Sequence, residues 1–580
     1  MRKTKIVCTL GPATDHEDVL RDMILGGMNV ARFNFSHGEH SDHARRLEQL
    51  KRLRTELGRP VAALLDTKGP EIRLGKFEGG QAVLETGQEF TLTTRAVLGS
   101  GTTAQVTHKD LPADLHTGDR VLLDDGLISM RVIETRDTEV VCRVENGGTI
   151  RDRKGVNIPG AALSLPYMSQ KDREDILFGI EQGFDFIAAS FVRCAQDVLE
   201  IRRILDEHGS PIRVIAKLEN REGVDDLDAI LAVSDGIMIA RGDLGVEIDF
   251  TEIPAIQKRI ILHCFSSGKP VITATQMLES MQNNPRPTRA EITDVANAVY
   301  DGTSAVMLSG ETAAGRYPVE AVRTMAAIAE RTEHDTGYFS RMQRASAQTR
   351  LSISAATAHA ACTTANDINA NAVITVTKSG ETARLLSRFR SDTPIIACVM
   401  EETVRRQLAL SWGVKPLLMP YAHSTDEMIE LATACAQEAG LIRDGDLVVL
   451  TAGVPVGISG TTNMIKVHMV GGNLTNGVGI GRKNAKGPLC VCRDLSEARA
   501  KFQPGDVLVL PYTDNSVLDL MRQASALIVE ESGQNSHAAV VGLSLDIAVI
   551  VSAVGAVRRL RDGVMVSVDC ERGMVQALPG

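Results

Sequence analysis

The stretches IRVIAKLEN, residues 212–220, and GIMIARGDLG, residues 236–245, each read as a short apolar strand that ends in ionisable side chains. Lys217 and Glu219 close the first strand, and Asp243 follows the second. One lysine and two carboxylates at neighbouring strand ends can hold a divalent metal ion beside a transferring anion. The pattern predicts phosphoryl-transfer chemistry, in which catalysis is mostly positioning and charge neutralisation. The alternative is a structural ion pair, the commoner role of an isolated Lys/Glu pair.

Further apolar runs of similar length lie on both sides of these two strands, and each ends in polar residues. All the candidate strands together are KIVCT (5–9), NVARFNFS (29–36), VAALLDT (61–67), FDFIAASFV (184–192), RVIAKLE (213–219), GIMIARGD (236–243), KPVITATQ (269–276) and TSAVMLSGE (303–311). Helical patterns with apolar residues at helical spacing lie between them, such as DHEDVLRDMILGG at 15–27. Eight strands that alternate with helices predict a closed parallel (β/α)8 barrel.

Polar residues cluster at the carboxyl ends of these strands, where the loops of such a barrel all open on one face. Each residue alone could be structural, but chance placement does not account for the whole set. The residues are Arg32, Asn34, Ser36, Asp66, Thr67, Ser190, Lys217, Glu219, Asp243, Thr275, Ser309 and Glu311.

The strand–helix alternation is interrupted from Gly69 to about Lys154, where short alternating strands such as EFTLTTR and EVVCRVENGG are separated by Gly, Asp and Thr turns. This pattern predicts an inserted β-rich domain. We therefore expect a barrel at 1–69 and 155–335, the insert at 70–154, a third domain at 352–471 and a fourth at 488–580.

The composition excludes several classes of protein. A chain of 580 residues with 43% hydrophobic and 23% charged residues is globular and long enough for three or four domains. No apolar run is long enough to span a bilayer, and the first is too short for a signal peptide, so no membrane partner and a cytoplasmic location are expected. The net charge of -10, without a basic patch, argues against a nucleic-acid partner. Ten scattered cysteines predict reduced thiols in the core.

Several long motifs of this chain resemble those of the pyruvate kinases over about the first 470 residues. They are MNVARFNFSHG (28–38), LLDTKGPEIR (64–73), DDGLI (124–128), IAKLEN, IARGDLGVEI, ATQMLESM (274–281) and PTRAEITDVANAVYDGTSAVMLSGETAAGRYPVEAV (287–322). The resemblance implies a TIM-type (β/α)8 barrel with an inserted β-barrel-like lid, an α/β C-terminal regulatory domain and a homotetramer. It also implies transfer of the phosphoryl group of phosphoenolpyruvate to ADP, giving pyruvate and ATP.

The resemblance further implies roles for individual residues. Lys217, Arg32 and Thr275 are expected to be catalytic, and Gly242 and Asp243 to join them in binding substrate. Glu219 and Asp243 match the Mg²⁺ (or Mn²⁺) ligands, whose hard carboxylate oxygens suit that ion. Thr275 and Ser309 are candidates for delivering the proton through water, because neither hydroxyl is acidic enough alone.

A monovalent-cation site and a nucleotide site are also implied. Asn34, Ser36, Asp66 and Thr67 match the K⁺ site, an all-oxygen cluster with one formal charge. Glu71 matches the K⁺-dependent members of the family, because a lysine is typical there of members that need no K⁺.

Nucleotide contacts are expected from His37, Arg73 and Lys154, with Asp125 and Lys154 contributed by the lid. A lid of this kind excludes water during transfer.

The third domain contains AVITVTKSGETARLLSRFR, residues 372–390, which reads as a strand, a Ser/Thr/Gly turn and the start of a basic helix. Such a turn can cradle a phosphate, although an ordinary helix cap gives the same pattern. In the family, the loop binds a phosphorylated allosteric effector. The residues at these positions are Thr377, Lys378, Ser379, Gly380 and Thr382.

The tail beyond the third domain begins with GGNLTNGVGIGRKNAKG, residues 471–487, which we expect to be a flexible linker. From Pro488 onward, the strands and helices resemble the swivelling phosphohistidine domain of phosphoenolpyruvate-using enzymes, an extension that certain bacillus-type pyruvate kinases carry.

His537 lies at the position of the phosphorylated histidine in that domain. The segment departs from the family pattern, however, and we expect a structural or regulatory role. The departures are Ser532, Asn535, Asp546 and Ala548.

Two other functions remain for comparison. A phosphotransfer protein that works through His537 would not need the barrel residues. A catalytically inactive metabolite sensor should carry substitutions among them, and the sequence has none at Arg32, Lys217, Glu219, Asp243 or Thr275.

Overall fold

The computed structural model describes residues 2–161, 163–335, 337–338, 352–453, 462–471 and 474–578. The chain divides into two compact units. The first contains Met1–Arg350, Ala383–Arg390 and Glu401–Pro416, and the second contains Leu351–Thr382, Ser391–Met400 and Leu417–Gly580. Helix Glu381–Arg388 and strand Val414–Leu418 run across the boundary between the units.

Eight parallel strands form a closed barrel in the first unit, as the sequence predicts. Around the barrel, each strand pairs with its neighbours in chain order, and the last strand pairs with the first. The apolar runs are almost completely buried, which is why they form the inner layer of the fold. The barrel strands are β1 (Lys5–Thr9), β2 (Val30–Asn34), β3 (Ala62–Asp66), β4 (Phe186–Ala189), β5 (Arg213–Leu218), β6 (Gly236–Ala240), β7 (Val271–Ala274) and β8 (Ala305–Leu308).

Helices surround the barrel and pack their apolar faces against it. Local signals set their ends: Thr288 caps one helix with a reciprocal Glu291 contact, and Gly302 ends the same helix in a left-handed conformation. The α-helices of this layer are Glu17–Gly26, His40–Glu56, Gln170–Gln182, Ala195–Glu207, Arg221–Asp225, Leu227–Val233, Arg241–Glu247, Ile253–Ser267, Arg289–Asp301, Gly310–Ala313 and Pro318–Glu333, and Glu402–Gln407 follows later in the unit.

The insert after β3 forms the β-rich lid that the alternating pattern predicts. Its core contains apolar residues from alternate positions of the strands, such as Val140, Cys142 and Val144. In spatial order, the strands of its main sheet are Ile72–Arg73, Gly155–Asn157, Arg120–Leu123, Ile128–Arg136, Glu139–Asn146, Glu89–Thr93 and Thr103–Gln105, and Gly148–Arg151 pairs separately with Gln81–Leu84. The lid sheet thus continues to Asn157, three residues past the expected boundary.

The second unit begins with an α/β domain. Strands Ile395–Val399, Ala372–Val376 and Leu447–Gly453 are parallel neighbours, and Thr462–Met469 adds an antiparallel edge. Helices Ile353–Asp367 and Thr425–Glu438 cover this sheet. The sequence pattern of a strand followed by a basic helix at 372–390 is confirmed, since helix Glu381–Arg388 follows strand Ala372–Val376.

The last part of the chain forms an eight-stranded sheet with short helices. In spatial order its strands are Thr475–Asn476, Met574–Ala577, Met565–Asp569, Asn484–Val491, Val507–Leu510, Ala526–Val529, Ala548–Val551 and Val478–Ile480. Its helices are Leu495–Lys501, Leu518–Met521, His537–Ser544 and Ala556–Arg559.

The prediction of a flexible linker at 471–487 is wrong for its described part. Residues 475–487 contain two short strands of this sheet and the beginning of a third. The glycines of this segment permit close packing of backbones. A Cβ at Gly479 would lie 1.8 Å from the carbonyl oxygen of Cys570, and a Cβ at Gly477 would lie 2.4 Å from that of Val551.

Eight of the ten cysteines are buried, as expected of thiols that pack in the core. Among the described residues, no helix combines the length and the apolar character that crossing a membrane requires.

Lys5 lies at the amino-terminal end of the barrel, opposite the predicted catalytic face. Its ammonium donates a hydrogen bond of 2.7 Å to the carbonyl oxygen of Val414. Burial, together with the positive charges of Lys415 and Arg2, lowers the pKa of Lys5 to about 7. The charged form of this lysine is therefore costly in the folded protein.

Replacing Lys5 by methionine should raise the free energy of unfolding at pH 7 by about 1 kcal/mol or more, and the gain should shrink as the pH rises. The folded pKa is about 7 and the ordinary value is 10.5, so the unfolded wild-type chain binds more protons between these pH values. Wild-type stability therefore rises with pH across that window, relative to the variant. Thermal unfolding of both proteins between pH 7 and 9.5 measures this difference.

The matched control is Lys76→Met, which removes an exposed lysine. Its free energy of unfolding should differ from that of wild type by an amount that does not vary with pH. If the difference in the free energy of unfolding between Lys5→Met and wild type were also independent of pH, the burial cost assigned to Lys5 would be contradicted.

Candidate active site

Lys217 is the centre of a cluster of polar side chains at the carboxyl ends of β3, β4 and β5. Its ammonium lies 2.7 Å from Ser190 Oγ, 2.9 Å from Glu219 Oε1 and 3.1 Å from Asp66 Oδ1. The lysine is buried, and both carboxylates are almost fully inaccessible to solvent. Residues far apart in sequence thus form one charged site, as the strand-end pattern predicts.

The electrostatics of this cluster keep Lys217 charged. Burial alone would lower its pKa, but the charges of Asp66 and Glu219 outweigh burial and raise the pKa well above its ordinary value. The same neighbours orient the ammonium, because each oxygen contact uses one of its three N–H groups. Lys217 is thus a fixed positive charge at the mouth of the barrel.

Arg32 contributes a second cation to this face from β2. Its Nε donates a 2.5 Å hydrogen bond to Asp66 Oδ2, and its Nη1 donates one of 2.9 Å to Thr9 Oγ1. Burial of Asp66 would raise its pKa, but Arg32 and Lys217 together hold that pKa below its ordinary value. A planar guanidinium next to a buried ammonium forms a natural binding site for phosphate oxygens.

Glu219 and Asp243 form the acidic side of the site. Glu219 Oε2 accepts a 2.6 Å hydrogen bond from the backbone N–H of Phe191. Burial raises the pKa of Glu219 to about 7; Lys217 opposes this shift and the negative charge of Asp243 adds to it. Two like charges in a site with little solvent favour the arrival of a cation.

The backbone around Thr275 is held in an unusual conformation. Thr275 and Gln276 have φ angles of +66° and +53°, which are uncommon for residues with a side chain. Thr275 Oγ1 accepts a 2.8 Å hydrogen bond from the N–H of Gly242, and Arg241 donates to the carbonyl oxygen of Thr275 at 2.7 Å. These contacts bring Gly242, Asp243 and Thr275 together at the ends of β6 and β7.

Ser309 and Glu311 lie at the end of β8. The Glu311 carboxylate accepts hydrogen bonds from the N–H groups of Ser309 at 2.7 Å and Leu278 at 3.1 Å. Burial raises the pKa of Glu311. Ser309 Oγ is buried and has no hydrogen-bond partner among the described residues. Glu311 therefore shapes the loop, and the Ser309 hydroxyl is available for a contact that the protein alone does not supply.

The four residues of the expected K⁺ site lie together at the ends of β2 and β3. Asn34 and Asp66 are opposite each other in the strand register, and Asn34 Oδ1 accepts a 3.2 Å hydrogen bond from the Ser36 N–H. Thr67 Oγ1 accepts a 3.1 Å hydrogen bond from the Ser190 N–H. Asp66 also contacts Arg32 and Lys217, so the expected K⁺ residues lie at the strand ends that carry this cluster.

A cavity of about 310 Å³ lies between the lid and the barrel, with Asp243 in its wall. Arg73 and Lys154 from the lid also line it, and Lys154 forms a 2.7 Å ion pair with Asp124. Asn157 of the lid donates a 2.8 Å hydrogen bond to Glu247 of the barrel. His37 is exposed and does not line this cavity, unlike the other two expected nucleotide contacts.

A barrel with a fixed ammonium, a guanidinium and two carboxylates at its mouth is the architecture of a phosphotransferase. The chain matches the family described as pyruvate kinase, barrel domain, over residues 1–322, and pyruvate kinase, alpha/beta domain, over 355–468. Residues 502–573 match the PEP-utilising enzyme mobile domain. The chain therefore belongs to the pyruvate kinase family and carries an additional mobile-type domain.

Individual relatives agree with this assignment. The chain is 50% identical to a pyruvate kinase of Geobacillus stearothermophilus over 577 residues, covering 99% of this chain and 98% of the relative. It is 49% identical to one of Bacillus licheniformis over 99% of both chains. A crystal structure of a pyruvate kinase from Cryptosporidium parvum superimposes with a TM-score of 0.77 at 41% identity, covering 81% of this chain and 96% of the other.

The structure adds three residues to the site for which the sequence predicts no role. Ser190, a strand-end residue, bridges Lys217 and the Thr67 carbonyl oxygen, to which its hydroxyl donates at 2.7 Å. Phe191 supplies a backbone N–H to Glu219, and Arg241 holds the Thr275 turn. Backbone contacts of this kind depend on the fold and leave no pattern of residue types.

Replacing Ser190 by alanine should lower kcat roughly tenfold, because the variant loses a charge-assisted hydrogen bond that orients Lys217. Steady-state kinetics measure kcat, and thermal unfolding confirms that the fold is retained. Ser234→Ala is the matched control, since Ser234 Oγ is also buried but has no partner among the described residues and lies outside the site. Equal kcat values for the two variants would refute an orienting role for Ser190.

Proposed function

We propose that this chain transfers the phosphoryl group of phosphoenolpyruvate to ADP, giving pyruvate and ATP in the last step of glycolysis. The observation that carries the proposal is the Lys217 cluster, in which a buried ammonium meets Asp66 and Glu219 at the mouth of a barrel. Membership of the pyruvate kinase family supports the same reaction. In this transfer the bond from phosphorus to the enol oxygen breaks, a bond to an oxygen of ADP forms, and the enolate takes a proton at carbon.

Lys217 and Arg32 are the proposed phosphate-binding cations. The ammonium would lie against the transferring group and the enolate oxygen, where a point charge screened from water is most effective. The guanidinium of Arg32 would clamp phosphate oxygens on the other side. Gly242, Asp243 and Thr275 would bind the rest of the substrate, and the hydrogen bond from the Gly242 N–H to Thr275 Oγ1 supports a common role.

Glu219 and Asp243 are the proposed ligands of Mg²⁺ or Mn²⁺. Burial raises the pKa of Glu219, the negative charge of Asp243 adds to the shift, and a divalent cation bound between the two carboxylates would offset both effects. No group of three or more His, Cys, Asp and Glu side chains in the described residues could hold a metal ion. Two carboxylates completed by substrate oxygens and water fit Mg²⁺, which rarely has an all-protein shell. When bound, the ion neutralises negative charge on the transferring group.

Asn34, Ser36, Asp66 and Thr67 are the proposed K⁺ ligands. Their oxygens lie at adjacent strand ends with a single formal charge among them, which suits a weakly hydrated monovalent cation. Glu71 supports this proposal through the resemblance, and its carboxylate forms a 2.8 Å ion pair with Arg73.

Arg73, Lys154 and His37 are the proposed nucleotide contacts, with Asp125 nearby on the lid. Burial raises the pKa of Asp125, and Asp124 and Asp243 raise it further. The cavity between lid and barrel is large enough for a small ligand and contains both lid cations. His37 is the weakest of the three, because its exposed side chain would need the nucleotide to reach it.

The proposed proton path uses Thr275, Ser309 and a water molecule. The unpaired hydroxyl of Ser309 supports this role, because a buried hydroxyl without a protein partner can bind an ordered water.

The second unit is proposed to bind a phosphorylated allosteric effector at Thr377, Lys378, Ser379, Gly380 and Thr382. Gly380 has a φ of +79°, and its N–H donates a 3.1 Å hydrogen bond to Thr377 Oγ1. Thr382 Oγ1 lies 2.5 Å from Thr462 Oγ1, so an anion would compete for that hydroxyl. As in other family members, we propose a cytoplasmic homotetramer.

The rival function through His537 has less support. The ring contacts Thr513 Oγ1 at 2.9 Å and Asn515 Oδ1 at 3.1 Å, so both nitrogens already have protein partners. These contacts favour a structural role for His537. The inactive sensor is disfavoured because the charged residues of the barrel mouth are all present and form a connected site.

Replacing Lys217 by methionine should lower kcat by about a hundredfold or more, because the fixed charge next to the transferring group is lost. A coupled assay of pyruvate formation from phosphoenolpyruvate and ADP measures kcat, and circular dichroism checks that the variant is folded. An unchanged kcat would remove Lys217 from the proposed mechanism.

Activity should depend on K⁺ when tetramethylammonium replaces it at constant ionic strength. Glu71→Lys should retain substantial activity without K⁺, because the lysine ammonium would supply the missing positive charge. The control variant is Glu78→Lys, which changes an exposed lid residue in the same way and should keep the wild-type dependence. Full wild-type activity in the absence of K⁺ would contradict the proposed site.

A further inference from the structure

A small cavity lies at the amino-terminal end of the barrel, away from the catalytic mouth. Gly268, Lys269 and Pro270, which precede β7, line it together with Ser304, which precedes β8. The opposite wall comes from the later segments of the first unit, 383–390 and 401–416, through Arg384, Ser387, Arg388, Arg390, Ser411 and Trp412. Its volume of about 20 Å³ accommodates a species the size of a water molecule or a halide.

Four cationic side chains line this cavity, those of Lys269, Arg384, Arg388 and Arg390. No carboxylate from the part of the chain that the structure describes lines it. The Lys269 ammonium already donates to backbone carbonyl oxygens, at 2.5 Å to Leu231 and 2.7 Å to Ser234. The other three cations are guanidinium groups, which are suited to binding anions.

Arg390 is the most buried of these cations, with an exposed fraction of 3%. Its Nη2 donates to the carbonyl oxygen of Gly302 at 2.9 Å and to Ser304 Oγ at 3.1 Å. Its Nε and Nη1 are buried without a hydrogen-bond partner among the described residues. The guanidinium lies 4.5 Å from the ring centre of Trp412 and 5.8 Å from that of Phe265, so aromatic faces cover it.

A buried guanidinium with two unused donors is costly unless a counter-charge is present. Burial lowers the pKa of Arg390, which is about 10 even with the opposing influence of Tyr338 and Glu333 included. The Glu333 carboxylate is itself used by the backbone N–H groups of Lys3 and Thr4, at 2.7 and 2.6 Å. The described residues thus supply no carboxylate in contact with Arg390.

We propose that this cavity is a binding site for a small inorganic monoanion of halide size, such as chloride, held by the guanidinium of Arg390. A halide accepts one of the unused N–H groups and supplies the missing negative charge. Phosphate and organic anions are too large for the volume. Because the cavity walls come from the barrel and from the segments 383–390 and 401–416, the anion joins these parts of the first unit and stabilises their packing.

Bromide provides a direct test because it replaces chloride and scatters anomalously. Crystals of the full chain grown or soaked in sodium bromide should show an anomalous peak in this cavity, within hydrogen-bond distance of Arg390 Nε or Nη1. A cavity that contains only a water molecule, or nothing, gives no peak there at a bromide concentration that labels other sites, and that result overturns the proposal.

Thermal unfolding provides the second test. When chloride replaces gluconate at fixed sodium concentration and ionic strength, the Tm of the wild type should rise by roughly 2 °C or more beyond any rise for Arg390→Met. The reason is that only the smaller anion enters the cavity. Subtracting the change in Tm of Arg390→Met from that of the wild type removes the general effect of each salt on protein stability. Arg388→Met, which removes a half-buried cation at the same cavity, is the control and should retain most of the chloride gain.

Equal loss of the chloride effect in Arg388→Met and Arg390→Met would indicate general charge attraction and would count against a site at Arg390. Should Arg390→Met fail to fold, the bromide experiment on the wild-type chain still decides the proposal.

Discussion

The ammonium of Lys217 is the contact on which the catalytic end of the barrel depends. It joins oxygens from three places in the chain: Asp66 at the end of β3, Ser190 after β4 and Glu219 after β5. Without this charge, two inaccessible carboxylates would remain close together with only Arg32 to balance them, which is a costly arrangement. The same charge that makes the site stable therefore also makes it reactive toward anions.

The two ends of the barrel use cations in opposite ways. At the carboxyl ends, every contact of Lys217 is with an oxygen of the protein, so an arriving substrate has to compete with internal partners. At the amino-terminal ends, Lys5 contacts a carbonyl oxygen and no carboxylate of the described residues, and Arg390 has two donors that no described residue uses. A chain with a net charge of -10 thus keeps its buried positive charge at a few sites, where it can attract particular anions.

The sequence was sufficient to predict the barrel, because each of its strands is a short apolar run that ends in polar residues. It could also place Lys217, Glu219 and Asp243 at one face, since parallel strand ends meet there. It could not predict the Arg241 contact with the Thr275 carbonyl oxygen, which depends on a turn with positive φ angles. Composition also could not show whether a glycine-rich segment is a flexible linker or a place where glycines let two strands pack closely, as Gly479 does.

The short segment 475–480 supplies both edge strands of the sheet in the final domain. Thr475–Asn476 and Val478–Ile480 lie at the two opposite ends of the eight-stranded order, so one hexapeptide covers both margins of the sheet. Margins with unpaired backbone groups are common starting points for self-association. A fragment that began at Asn484 would keep the other six strands but lack both covers, and it would tend to aggregate.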